Sequence, residues 1–376
     1  MKVLMIAGNS KASGIFTYTE AVTGALRKKG IFVELNNGTG QKYDLIHVQN
    51  CSPEKFLPAI VQNFGTPIIT TTQMTERELA GLVPNALARS ARHYLGFVYR
   101  CSDRIICCSE AIKKELEPKA HIAHKLLYLP HPVDLKRFHP DGRLGAEFRK
   151  KYAIPKNKKI ALCVATLQQR KGIFEFYKLA KLLPQYQFVW VGNIPQVFTL
   201  KRKEEIESMM ADKKSCVLFT GFLSGKELLS AFNSADLFLF PSLSETFGLA
   251  IIEAAACGLP VLLRELPVFR MFEFAEKFSN EGEMLKKTVK ILEDSGLNKK
   301  LRKKSLRCAE KFSLENHAER LIGIYKQTLS EKRPVFGIYL DSWMKNMDEL
   351  REMVSQSKQQ FSTYIDRMNS YFRDVK

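Results

Sequence analysis

None of the eight cysteines stands in a Cys-x-x-Cys pair, and several sit inside apolar runs such as Arg104-Ile-Ile-Cys-Cys108. This excludes the common paired-thiol motifs and leaves the cysteines to read as small buried hydrophobes in a reducing compartment. No apolar run approaches the roughly 20 residues a membrane-spanning helix needs, and the one following Met1 is too short for a signal peptide. Membrane contact, if any, is therefore expected to be peripheral. Low-complexity tracts are missing too, which argues against long disordered segments. His121 and His124 have no further ligand nearby in the sequence and read as a loop pair, so no metal site is expected there.

What is present is a globular composition, 45% hydrophobic and 26% charged, spread over 376 residues. That length exceeds what one core usually organises, and two domains are the natural expectation. The formal net charge is +19, which points to an anionic surface or ligand. Residues 1–150 hold 21 Lys and Arg against 13 Asp and Glu, and the remainder 37 against 26, so no basic arm carries the excess. Nucleic acid is not expected as the partner, because no recognition helix, zinc motif or RNA-binding motif accompanies the charge. An anionic membrane surface is the stronger candidate.

Short apolar runs alternate with amphipathic stretches from Lys2 to Leu129, then again from Lys158 to Leu263. Such alternation implies parallel sheets covered by helices on both faces. The expected fold is thus α/β, with two doubly wound, Rossmann-like domains facing across a cleft. Pro130-His-Pro132 breaks the pattern and marks the linker. The expected boundaries are 1–135 and 136–312, with a helix over 313–332 crossing back to the first domain and a helical tail over 333–376. Ligands of such sheets bind beyond the carboxyl ends of the strands.

The strand Asp236-Leu-Phe-Leu-Phe-Pro241 delivers the chain into Ser242-Leu-Ser-Glu-Thr-Phe-Gly-Leu249, and the next helix carries Glu253. Glu245 falls in the loop and Glu253 about two turns into the expected helix, so one carboxylate can reach a sugar and the other a ribose. Backbone N–H groups of Phe247, Gly248 and Leu249, with Thr246 before them, would open the helix and favour a diphosphate.

This segment resembles the Glu-x7-Glu signature of the family 4 retaining glycosyltransferases, which have the two-domain GT-B architecture. The resemblance runs to about Leu329 through Phe219-Thr-Gly-Phe222, Ala235-Asp-Leu-Phe-Leu-Phe-Pro-Ser242, Gly258-Leu-Pro-Val261 and the linker Pro130-His-Pro-Val-Asp-Leu-Lys-Arg-Phe138. It implies a hexosyltransferase whose first domain meets the acceptor and whose second binds a nucleotide sugar. Glu245 would hold the sugar and Glu253 the ribose, and Lys171 in Ala165-Thr-Leu-Gln-Gln-Arg-Lys-Gly172 would hold the leaving diphosphate. Gly14 matches one of two glycines that usually form a turn near the phosphates. No Asp-x-Asp triplet occurs, so neither a metal nor any other cofactor is expected.

The chain also leaves the family's pattern. Thr166 stands where an arginine is usual, and Arg170 either supplies that charge or is an ordinary solvated residue. An Arg-Lys-Gly version resembles a Gram-positive subgroup that glucosylates diacylglycerol, which implies UDP-glucose as donor and a lipid acceptor. In that subgroup a histidine lies beside the sugar, where this chain has Gln73 in Gln73-Met-Thr-Glu-Arg-Glu-Leu-Ala-Gly81. Glutamine can hydrogen-bond a hydroxyl but cannot exchange a proton near neutral pH. Three readings stay open: a lipid glucosyltransferase, a transferase for a polysaccharide or protein acceptor, and a catalytically impaired binding or assembly subunit. His47, at a strand end toward the cleft, is either a sugar-side contact or a structural histidine.

Two surfaces suggest partners. Arg89, Arg92, His93 and Arg100 fall on one helical stripe flanked by Phe97 and Tyr99, suited to anionic headgroups on the cytoplasmic face of the cell membrane. Trp343, Leu350, Ser357, Tyr364 and Tyr371 recur every seven residues, with Met347, Val354, Phe361 and Met368 between them. That seam over 338–376 fits an oligomer or protein partner, a membrane, or the chain's own domains.

Overall fold

The computed structural model describes residues 1–7, 14–36, 42–49, 51, 53–63, 65–73, 75, 85–195, 202–212 and 216–331. The heptad seam lies outside the described residues.

The first lobe runs β1 (Lys2–Ile6), α1 (Gly14–Lys28), β2 (Phe32–Leu35), β3 (Leu45–Val48), α2 (Pro53–Gln62), β4 (Ile68–Thr72), α3 (Asn85–Cys101), β5 (Arg104–Cys107), α4 (Glu110–Leu116), α5 (Ala120–Ala123) and β6 (Leu126–Tyr128). Its strands are parallel, in the order β2-β1-β3-β4-β5-β6. The second runs α6 (Gly142–Lys151), β7 (Ile160–Val164), α7 (Ile173–Leu182), β8 (Gln187–Val191), α8 (Lys203–Ala211), β9 (Val217–Gly221), α9 (Gly225–Ser234), β10 (Leu237–Phe240), α10 (Leu249–Ala256), β11 (Val261–Arg264), β12 (Glu276–Phe278), α11 (Glu281–Glu293) and α12 (Ser295–Ala309). Its order is β12-β11-β10-β7-β8-β9. The doubly wound α/β architecture expected from the sequence is the observed one.

Chain direction across each sheet reverses once, between β1 and β3 in the first and between β7 and β10 in the second. A reversal leaves neighbouring loops diverging to opposite faces and opens a crevice at the strand ends. The loops after β7 and β10 therefore frame one site, with Phe238 registered beside Leu162 on the adjoining strands. β3, β4, β7 and β10 are buried almost throughout, as covered parallel strands must be.

The last described helix, α13 (Leu314–Ser330), returns to the first lobe. Its buried stripe of Leu314, Ala318, Leu321 and Tyr325 has helical spacing and packs with Val3, Met5, Tyr18, Val22 and Leu26. Each fully buried leucine contributes roughly 1.5–3 kcal/mol, enough to hold the element across the lobes. The two crossings between lobes run side by side: Val133 N donates to Phe312 O at 2.7 Å, and Leu314 N to Val133 O at 3.1 Å.

The sequence reading passes over α6 and β12. α6 has a readable start, since Asp141 caps the Arg143 and Leu144 N–H groups. The three-residue strand β12 has too few residues to show a period.

Candidate active site

The site begins at a glycine. Gly172 has φ +78°, and a Cβ there would lie 2.4 Å from Pro241 O, so only glycine lets the turn after β7 lie on the exit of β10. Leu243 N then donates to Arg170 O at 2.7 Å, and Ser242 Oγ lies 3.1 Å from the same carbonyl. Arg170 returns the contact, donating from Nη1 to Ser244 O at 3.3 Å and from Nε to Gln168 Oε1 at 2.9 Å. The guanidinium thus ties the two loops together.

This clamp brings Lys171 onto Glu245. Lys171 Nζ pairs with Glu245 Oε1, which also accepts from Ser242 Oγ at 2.9 Å. Both side chains are largely buried, at 13% and 7% exposure, and the ammonium lies 5.8 Å from the centre of the Phe240 ring. Burial pulls the Lys171 pKa below the usual lysine value, and the Glu245 carboxylate opposes that pull.

Glu253 lies just over one turn into α10, which starts at Leu249, nearer the loop than the two turns read from the sequence. Gly248 precedes the helix with φ +92°. Phe247 lies outside it, its ring buried against His131, Phe272 and Phe312. Among the described residues, no hydrogen bond or ion pair engages the Glu253 carboxylate. Burial raises its pKa to about 7, with Arg137 opposing.

The first lobe meets this site at several points. Gly14 opens α1 directly opposite α10, and a Cβ on it would lie 3.6 Å from Leu249 Cδ1. Two helix N-termini, each carrying unsatisfied N–H donors and a positive dipole end, therefore face one space. Leu249 packs against the cores of both lobes. Nearby, the buried Cys108 Sγ lies 3.3 Å from Thr72 O and 3.5 Å from Thr246 O. This brings Gln73, the residue after β4, alongside the Glu245-Thr246 loop. Gln73 is partly exposed, and its Nε2 donates to Gln49 Oε1 at 3.0 Å.

Other residues singled out in the sequence lie elsewhere. His47 is fully buried, with Nδ1 2.5 Å from the Tyr325 hydroxyl and Nε2 2.8 Å from Thr71 Oγ1. It is a structural histidine and not a sugar contact, since both ring nitrogens are engaged inside the protein. Thr166 is exposed at the mouth of β7 and carries no charge to replace the usual arginine. Arg92 and His93 are exposed on α3 and Arg100 is half-buried, whereas the side chain of Arg89 is outside the described residues. Phe97 and Tyr99 do not flank a lipid-facing stripe: both are core residues, at 1% and 2% exposure. Among the described residues no three His, Cys, Asp or Glu side chains cluster as metal ligands, and no helix is long and apolar enough to cross a membrane.

Comparison with known families settles what kind of protein presents this geometry. The family described as Glycosyl transferases group 1 matches residues 146–306, and that described as Glycosyltransferase Family 4 matches residues 34–137. The chain belongs to the family 4 glycosyltransferases. This glycosyltransferase is 27% identical over 346 residues to the processive diacylglycerol alpha-glucosyltransferase of Acholeplasma laidlawii, covering 89% of this chain and 100% of the relative. It is 24% identical over 248 residues to the alpha-galactosylglucosyldiacylglycerol synthase of Streptococcus pneumoniae, covering 65% and 66% of the two chains. Among solved structures, Anabaena HepE in complex with UDP and glucose superposes with a TM-score of 0.71 at 15% identity, covering 87% of this chain and 99% of that one. Sucrose-phosphate synthase from Thermosynechococcus elongatus gives 0.72 at 19%, covering 87% and 98%. These likenesses show the GT-B fold.

Sequence reasoning missed several residues that shape the glycosyltransferase's cleft. Cys108 reads as an ordinary buried hydrophobe, and only the packing of the lobes reveals that it touches Thr246. Gln49 gives no signal beyond its place at a strand end. Arg264 holds Pro241 O through Nε at 3.1 Å, a contact visible only once β10 and β11 are known to be neighbours.

Proposed function

We propose that this glycosyltransferase moves glucose from UDP-glucose to a diacylglycerol-type membrane lipid, with retention at the anomeric carbon and without a metal. The observation that carries this reading is the Lys171–Glu245 pair set beside the facing starts of α10 and α1. Lys171 and the helix N–H groups present positive charge where a diphosphate leaves, which stabilises the transition state more than the bound donor. Glu245 accepts hydrogen bonds from sugar hydroxyls once Lys171 turns to the phosphates. Glu253, which no hydrogen bond or ion pair engages among the described residues, accepts from the ribose. Gln73 contributes hydrogen bonding to the sugar and no proton transfer, so the acceptor's proton goes to the departing diphosphate.

The diacylglycerol acceptor is supported by the names of the two relatives, and the exposed Arg92 and His93 on α3 support docking on an anionic surface. The test is UDP release from a panel of nucleotide sugars, with and without vesicles of diacylglycerol and anionic lipid. Release from UDP-glucose that depends on the vesicles is expected. Release only with a polysaccharide or protein acceptor would replace the lipid assignment. Donor binding without release from any donor or acceptor would make the chain a binding subunit, the reading that Gln73 in place of histidine favours.

A further inference from the structure

Five polar side chains run through the interior of the first lobe. They start at the Tyr325 hydroxyl on α13, 2.5 Å from His47 Nδ1. His47 Nε2 lies 2.8 Å from Thr71 Oγ1 and 3.1 Å from Gln49 Nε2. Gln49 Oε1 in turn accepts from Gln73 Nε2 at 3.0 Å. Tyr325, His47, Thr71 and Gln49 are all essentially inaccessible to solvent. Only Gln73 reaches the surface, and it does so beside the Glu245-Thr246 loop.

Covered parallel strands are ordinarily Val, Ile and Leu throughout, because each buried polar group must be matched by a partner. β3 and β4 instead place His47, Thr70, Thr71 and Thr72 inside, with Gln49 just beyond. A structural histidine would need only its two ring partners. It would not need a buried amide whose oxygen is spent on a residue at the cleft. An exposed glutamine samples several rotamers, whereas one whose amide nitrogen is anchored from behind presents its oxygen in one direction.

We propose that Gln49 is a positioning residue: it fixes the Gln73 amide toward the transferred sugar and is itself held by His47 and, through it, by Tyr325 of the returning helix. The inference rests on the reading of Gln73 as a sugar-side residue. His47 is kept neutral by burial, its pKa lowered to about 3, so the chain carries no charge and its effect is level across neutral pH. It also makes the geometry at the sugar depend on a helix that reaches the first lobe only after the second is complete.

The test compares the affinities of UDP and UDP-glucose, by calorimetry on the full chain, in Gln73→Ala, Gln49→Leu, the double variant and Tyr325→Phe. Their ratio isolates contacts to the sugar, and it needs no turnover. Gln73→Ala and Gln49→Leu are each expected to reduce the advantage of UDP-glucose over UDP by about fivefold, the loss of one hydrogen bond, at both pH 6.5 and pH 8. UDP affinity should stay unchanged, and the double variant should lose no more than either single one. Tyr325→Phe, which keeps the ring packed, should shift the ratio the same way and covers the case in which Gln49→Leu fails to fold. A loss in Gln73→Ala that neither Gln49→Leu nor Tyr325→Phe reproduces would overturn the positioning role alone. No loss in Gln73→Ala would overturn it together with the reading of Gln73.

Discussion

Lys171 and Glu245 form an ion pair at the carboxyl ends of β7 and β10, with Ser242 as a third partner to the carboxylate. Neither charge has much water to turn to, so removing one leaves the other buried and uncompensated. Lys171→Met is therefore expected to lower stability by about 3 kcal/mol and to abolish most UDP release. Adding Glu245→Leu should restore most of the stability and none of the turnover. Urea unfolding with a UDP-release assay separates the two effects. A double variant as unstable as the single one would mean that the pair matters for packing and not for charge.

Glu253 has the opposite electrostatics, a half-buried carboxylate that no hydrogen bond or ion pair engages among the described residues. Its pKa is raised from 4.5 to about 7, so the folded state binds the proton more tightly than the unfolded chain. The stabilising contribution is fully present below 4.5 and is lost as pH rises through about 7. Glu253→Gln should thus be more stable than the native chain at pH 8, by on the order of 1–3 kcal/mol, with the difference vanishing near pH 5. If Glu253 accepts from the ribose as proposed, the variant should also bind UDP about tenfold more weakly, since a charged acceptor is lost. Melting curves from pH 5 to 8 and calorimetry check both parts. Parallel melting profiles for the two proteins would contradict the raised pKa.

The strand pattern is legible because it is local, a period of apolar residues along one segment; the two glutamates are marked by their spacing, and Lys171 by the family resemblance. Phe97 and Tyr99 were misread because α3 packs against two clusters at once, Phe97 with Phe56 and Tyr94 and Tyr99 with Ile105 and Cys107. A helix wedged in this way buries far more than the single stripe that a helical pattern reveals. His47 and Gln49 were opaque for a different reason. The sequence leaves His47 open between a cleft contact and a structural histidine, because its partner Tyr325 stands 278 positions away in the chain.

Gly172 is the position where backbone geometry and site assembly meet. With φ +78° and Pro241 O 2.4 Å from any Cβ, alanine would be strained both by its own backbone and by a rigid carbonyl. Gly172→Ala is expected to cost about 2–4 kcal/mol and to pull Arg170 and Lys171 away from the Ser242–Glu245 loop. UDP-glucose binding should weaken along with stability. Denaturant titration would show the loss as a lower midpoint at unchanged slope. Native stability would place the turn elsewhere.

The exposed basic face of α3 offers the last test, because its contribution should be electrostatic alone. Phe97 and Tyr99 are buried, so they cannot insert into lipid, and the exposed Arg92 is left to act through charge. A basic residue near an anionic surface contributes about 1 kcal/mol, and reversing one counts twice. Arg92→Glu should reduce partitioning onto vesicles containing anionic lipid by roughly tenfold to thirtyfold at 0.15 M salt. UDP affinity is expected not to change. Raising the salt to about 0.5 M, where the screening length drops below the physiological ~8 Å, should release the native chain in the same way. Binding that survives both the substitution and the salt would transfer the membrane contact to another surface.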